Sequence, residues 1–214
     1  MKKTLIMMFA MMLTATATFG QNKSVEVAEI IDLPAPQRNG GMPLMEALNN
    51  RATVREYTDQ DLTDQQLSDL LWAANGVNRE NGKRTAPSAR NCQEIDVYVM
   101  FSIGVYLYDA QKNQLNLVAV GDNRSKSVMQ PFAAKAPVIL FFVANYDKMT
   151  GMDKDAKEFY GATDAGYVSQ NVYLYCASEK LATVVLGSIH RDAIQKLLGF
   201  NGKAVLGQAV GNMK

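Results

Sequence analysis

The chain has 214 residues, with 22 Lys and Arg against 21 Asp and Glu, one His and two Cys. So even a charge balance offers no basic face for nucleic acid or anionic lipid, and two cysteines are too few for a disulfide-stapled scaffold. The single His and the lack of a ligand-spaced Cys pair exclude ordinary zinc sites and leave a His-based hydrolase without a nucleophile motif.

Residues 1–20 read as a secretory signal peptide. Lys2 and Lys3 precede the apolar stretch Leu5–Leu13, and small Thr18 and Gly20 stand ahead of Gln21. Cleavage near Gly20 predicts an exported, periplasmic protein with 20 cations against 21 acids. What remains is long enough for one domain with a substantial core. Residues 21–41, with Pro34, Pro36, Gly40 and Gly41, read as an extended N-terminal arm, leaving 42–214 as the domain.

Pro43 suits a first helical position and opens a short helix to Asn50, with Leu44 and Leu48 four apart. Thr63-Asp-Gln-Gln66 is a capping box for a helix through Leu67, Leu70, Leu71 and Ala74. Asn75-Gly76 predicts a left-handed ending. Ile95, Val97, Val99 and Phe101 alternate as in a strand, and Gly104–Tyr108 with Leu115–Val120 predict an antiparallel hairpin. Part of 121–135 is expected to be helical. The unbroken run Val138–Ala144 predicts a strand covered on both faces.

Lys148–Phe159 is charged and expected to be exposed. Thr163 or Asp164 is the expected cap of a long helix to Lys180, apolar around most of its circumference and so expected to be buried on nearly every side. A strand Thr183–Leu186 ending at Gly187, a helix from His190 closed by Gly199, and a strand Ala204–Val210 complete an α+β fold, helices around a mainly antiparallel sheet. Cys92 and Cys176 are expected to be free thiols.

Three stretches carry chemistry. In Arg51-Ala52-Thr53-Val-Arg55-Glu-Tyr57, an extended backbone puts two guanidiniums and a hydroxyl on one face, a grip for an anionic ligand. Pro87-Ser88-Ala89-Arg-Asn91-Cys-Gln93 offers small residues and an amide just before a strand. Thr183-Val-Val-Leu186-Gly187-Ser188 ends a strand on a glycine that leaves room for a ring against backbone. Each alone also reads as a surface charge run, a turn or a strand end.

Together, in this order and spacing, they resemble the nitroreductase family of FMN flavoproteins. Arg51–Tyr57 is similar to that family's Arg-x-Ser-x-Arg-x-Phe signature, and Pro87-Ser88-Ala89 to its Pro-Ser loop. Thr163–Asn171 through Leu181–Gly187 is similar to its long dimer helix and flavin-side strand. Leu70–Gly76 followed by Arg84-Thr-Ala-Pro-Ser88, and Gly104-Val-Tyr-Leu-Tyr-Asp109, most resemble the SagB/thiazole-oxazole dehydrogenase branch.

The resemblance implies a homodimer with FMN at the subunit interface. Arg51 and Thr53 would lie on the phosphate and ribityl chain, Ala52 between them would also contact the cofactor, and Arg55 would lie at the pyrimidine edge as an electrostatic stabiliser. Pro87, Ser88, Ala89 and Asn91 would come from the partner subunit, Leu186 and Gly187 would lie near the ring, and Lys214 is the remaining cation for the phosphate. It implies hydride passed by ping-pong through flavin N5 from a reduced donor to a nitroaromatic, quinone or enone, with no catalytic side chain and no metal. An exported protein that binds flavin or another small ligand without turnover is the alternative.

Overall fold

The computed structural model describes residues 27–214, so the segment read as a signal peptide lies outside the described residues. In chain order the elements are β1 (Ile30–Asp32), α1 (Leu44–Asn50), α2 (Asp64–Asn75), β2 (Ile95–Met100), β3 (Gly104–Asp109), β4 (Gln114–Val120) and α3 (Arg124–Ser127). There follow β5 (Val138–Asn145), α4 (Lys154–Glu179), β6 (Leu181–Leu186), α5 (Arg191–Leu198) and β7 (Gly202–Asn212).

The strands form one sheet in the order β1-β4-β3-β2-β5-β7-β6, every neighbouring pair antiparallel. The α+β reading of the sequence holds. β5 is an interior strand between β2 and β7, and its period-2 geometry divides the core. Val138, Leu140, Phe142 and Ala144 face a cluster with Leu70, Leu71, Val168 and Val172 of α2 and α4. Ile139, Phe141 and Val143 face the opposite cluster, with Val184, Leu186, Ile194 and Leu198. An apolar run without alternation is therefore what two covered faces require.

Three sequence expectations change. The arm does more than wrap the surface: Ile30, Ile31 and Asp32 pair with Asn116, Leu115 and Gln114 and add an edge strand. A three-residue strand is too short to show a period.

The long helix starts earlier than expected. Asp153, with its side chain accepting from the Ala156 N–H at 2.8 Å, caps α4, and the charged stretch 154–159 is its first turns. Thr163 instead donates back to the Phe159 carbonyl inside the helix, and Asp164 is buried. Within one chain α4 is buried on one side only. Phe159, Tyr160, Gly166 and Tyr167 are exposed on the other.

Gly76 ends α2 in an extended conformation (φ −75°, ψ 164°), not a left-handed one. Glycine is required there by packing: an added Cβ would lie 2.4 Å from Trp72 Cδ1 and 2.6 Å from Trp72 Cα. Because the second of these atoms is backbone, the clash cannot be relieved by turning the ring. The Thr63–Gln66 capping box at the other end is complete, with both reciprocal bonds present. Gly76→Ala is expected to destabilise the fold by about 1–3 kcal/mol, the range for overpacking a filled site. A urea midpoint equal to that of the wild type would contradict this packing role.

Candidate functional site

Arg51–Tyr57 leaves α1 as extended chain and runs beside β6, the edge strand of the sheet. An edge strand turns the backbone groups of alternate residues away from its neighbour. Here the incoming segment and α4 take them up. The Val54 N–H donates to the Thr183 carbonyl at 2.9 Å, and the Val185 N–H donates to the Tyr173 phenol oxygen at 3.0 Å. The same phenol oxygen lies 3.0 Å from Thr53 Oγ1, while the Arg51 Cζ stands 5.4 Å from the centre of the Tyr173 ring. One side chain of α4 thus positions Arg51, Thr53 and the strand edge together.

Arg51, Ala52, Thr53 and Arg55 are exposed, with Val54 half-buried between them. The Arg55 Cζ lies 5.9 Å from the centre of the Phe132 ring. Tyr57 bridges to Met213 and brings Lys214 alongside. Thr53, Val54, Arg55, Glu56, Met213 and Lys214 line a shallow cavity of 340 Å³.

Two residues past Val185, the strand stops. Leu186 is buried, but Gly187 is exposed, and a Cβ built on it would meet nothing within 4 Å. The N–H groups of Gly187 and Ser188 find no acceptor among the described residues. The edge is held rigid from behind by a buried polar chain. Ser169 Oγ donates to Gln208 Oε1 at 2.8 Å, Gln208 Nε2 donates to Thr183 Oγ1 at 3.1 Å, and that hydroxyl donates to the Ala209 carbonyl at 2.9 Å.

The Pro87–Gln93 loop is built differently. Arg90, Asn91 and Gln93 all take left-handed φ values (53°, 57° and 49°), each costing a non-glycine residue about 1–2 kcal/mol. Side-chain anchors hold it there. The Gln93 N–H donates to Ser88 Oγ at 2.9 Å, Arg84 Nε donates to Gln93 Oε1 at 3.0 Å, and the Ala89 N–H donates to Asp164 Oδ2 at 2.8 Å. Pro87 and Asn91 remain exposed; Ser88 and Ala89 are half-buried.

The structure therefore sets Arg51, Ala52, Thr53 and Arg55 along the β6 edge, with Leu186 and Gly187 where that strand stops and Lys214 beyond the end where it begins. It does not bring Pro87–Asn91 to them within one chain. The loop is moored at Asp164 and the Arg51 segment at Tyr173, nine positions further along α4. That is roughly 13–14 Å of helix. The site roles of Tyr173 and Asp164 escape sequence reading because each meets its partner across the chain. The two cysteines are free, Cys176 buried and Cys92 half-buried. Among the described residues no helix is long and apolar enough to cross a membrane.

Comparison with known proteins points one way. The family model described as "Nitroreductase family" matches residues 48–212. A protein of Methanocaldococcus jannaschii that carries a nitroreductase name is 33% identical over 178 residues, covering 78% of this chain and 90% of that one. A crystal structure from Ralstonia eutropha with a nitroreductase description superposes with a TM-score of 0.83 at 42% identity, covering 87% of this chain and 90% of its own. The Bacillus subtilis protein named FMN reductase (NAD(P)H) is 23% identical over 158 residues, 68% of this chain and 54% of that protein.

Behind the loop lies a buried pair of acids. Glu94 is fully buried, and neither of its carboxyl oxygens has a hydrogen-bond partner of ordinary geometry. Desolvation first, and the nearby Asp164 second, push its carboxyl from the ordinary 4.5 up to about 7, with Lys148 pulling the other way. Between those two values the folded chain keeps a proton that the unfolded chain has lost, so stability falls as pH rises through the window. Urea midpoints measured from pH 4.5 to 7 are expected to decline in the wild type and to lose that slope in Glu94→Gln. An unchanged slope in the variant would assign the proton elsewhere.

Proposed function

The chain belongs to the nitroreductase family, and from that premise we propose that it is an FMN-dependent oxidoreductase. We place it nearest the SagB/thiazole-oxazole dehydrogenase branch and read it as a homodimer exported to the periplasm. The observation that carries this reading is the β6 edge, along which exposed cations, a hydroxyl and unpaired backbone donors are strung.

That donor set fits FMN. Arg51, Lys214 and the Thr53 hydroxyl suit the phosphate and ribityl chain, because guanidinium and ammonium groups pair strongly with phosphate oxygens. Ala52 adds no bulk between them. Arg55, steadied over Phe132, suits the pyrimidine edge, where a fixed positive charge favours negative charge as it develops. Gly187, with open space where a side chain would stand and Leu186 buried beneath, lets a flat ring approach the backbone. Bound FMN supplies hydride transfer from a reduced donor to an electron-poor acceptor such as a nitroaromatic, quinone or enone. The chain supplies grip, orientation and charge.

The homodimer reading rests on what one copy leaves uncovered. Leu44 and Met45 of α1 are 63% and 76% exposed, and Phe159 and Tyr167 of α4 are 66% and 47% exposed. Apolar surface of this extent is suited to an interface. In that reading Pro87, Ser88, Ala89 and Asn91 serve the cofactor held by the other copy, which accounts for their distance from Arg51 within one chain.

Arg51→Ala is expected to weaken FMN binding by about tenfold or more, from loss of a charge-assisted contact worth roughly 1.5–3 kcal/mol. Titration of the variant and the wild type with FMN checks it, and equal dissociation constants would mean that the phosphate is held elsewhere. Where a donor reduces the protein, donor and acceptor share one site, so double-reciprocal plots are expected to be parallel. Intersecting lines would contradict the shared site.

A further inference from the structure

The pairing of β5 with β7 slips by one residue: Phe142 faces Leu206 and Val143 faces Ala204, so Val205 is the extra residue of a bulge. A bulge takes a carbonyl out of the ladder. In this chain one guanidinium collects what the bulge releases. Arg191, the first residue of α5, donates from Nε to the Ala204 carbonyl and from Nη2 to the Val205 carbonyl, both at 3.0 Å. The same Nη2 donates to the Gly187 carbonyl, also at 3.0 Å. Arg191 therefore ties the bulge of β7 to the residue at which β6 stops.

The Gly187 carbonyl belongs to the same peptide plane as the Ser188 N–H. A trans peptide points the two in opposite directions, and there is no cis bond among the described residues. Fixing the carbonyl from the Arg191 side thus fixes the Ser188 N–H on the other side. That N–H finds no acceptor among the described residues, and both Gly187 and Ser188 are exposed. Glycine leaves this plane unusually free to rotate when nothing holds it.

We infer that Arg191 is a positioning residue: by holding the Gly187 carbonyl it sets the orientation of the exposed Gly187–Ser188 peptide at the end of β6, against which the proposed site places the flavin ring. The inference rests on the FMN reading above. Arg191 does not touch the ligand; it acts through the Gly187 carbonyl. A planar fork is needed for this task, because one nitrogen must reach two carbonyls while a second reaches a third. A lysine ammonium offers its donors from a single point and cannot span the three in that geometry.

The test compares the full-length wild type with Arg191→Lys and Arg191→Ala, reading thermal midpoint, FMN dissociation constant, visible spectrum of the bound flavin and its reduction potential. Arg191→Ala is expected to bind FMN about tenfold more weakly, with a shifted spectrum and potential. Arg191→Lys, which keeps the charge, is expected to recover thermal stability but neither the spectrum nor the potential. If Arg191→Ala does not fold, Arg191→Lys carries the test by those two readouts. Spectrum and potential equal to the wild type's in a variant that folds would overturn the inference and leave a purely structural arginine. A wild type that takes up no FMN would overturn the flavin reading and this inference with it.

Discussion

The hydrogen bond from the Val185 N–H to the Tyr173 phenol is the contact on which the site depends. An edge strand exposes a row of backbone donors and acceptors, and a sheet edge left open invites pairing with any other chain. This protein closes most of its β6 edge with one phenol and one crossing segment, and leaves the last two N–H groups open. Closure and opening lie within a few residues of each other. The same phenol that satisfies Val185 meets Thr53 and underlies Arg51, so stabilising the edge and presenting the cations are one act. The buried Ser169–Gln208–Thr183 chain behind it keeps the edge from shifting.

A second constraint is strain held at a distance. Three left-handed residues in the Pro87–Gln93 loop are unfavourable in isolation and persist because Ser88, Arg84 and Asp164 fix their neighbours. The loop is thereby presented as a formed surface. Asp164, which anchors it, also lies near the buried Glu94 and helps to raise that carboxyl's pKa, so the acid pair stands beside the loop. In the proposed dimer, each copy would offer one edge and one loop, and a complete site would need both.

Much of this was legible in the sequence, and the reasons are local. The Thr63–Gln66 cap, the β3–β4 hairpin and the apolar run of β5 each follow from spacing within a few residues, and the structure has all three. Arg51, Thr53 and Arg55, expected to face a ligand, are all exposed. What could not be read depends on contacts across the chain. Tyr173 looked like one more apolar helix residue until β6 was folded against it. Gly76 is the local exception: it looked like a left-handed stop because residue type alone does not give the extended ψ that packs its α-carbon on Trp72, four residues back. Asp164 looked like a helix cap because its true partner, the Ala89 N–H, lies 75 residues away in sequence.

The central claim is that the β6 edge and the Pro87 loop form one cofactor site. Hydrogen exchange of the full-length protein with and without FMN measures this directly. The account predicts slowed exchange in three places together: the Arg51–Tyr57 segment, the end of β6 at Gly187 and Ser188, and the Pro87–Asn91 loop. Slowing confined elsewhere would contradict it, for example to Gln37–Met42 over the 460 Å³ cavity between the arm, α2 and α4. So would no change at all on adding FMN.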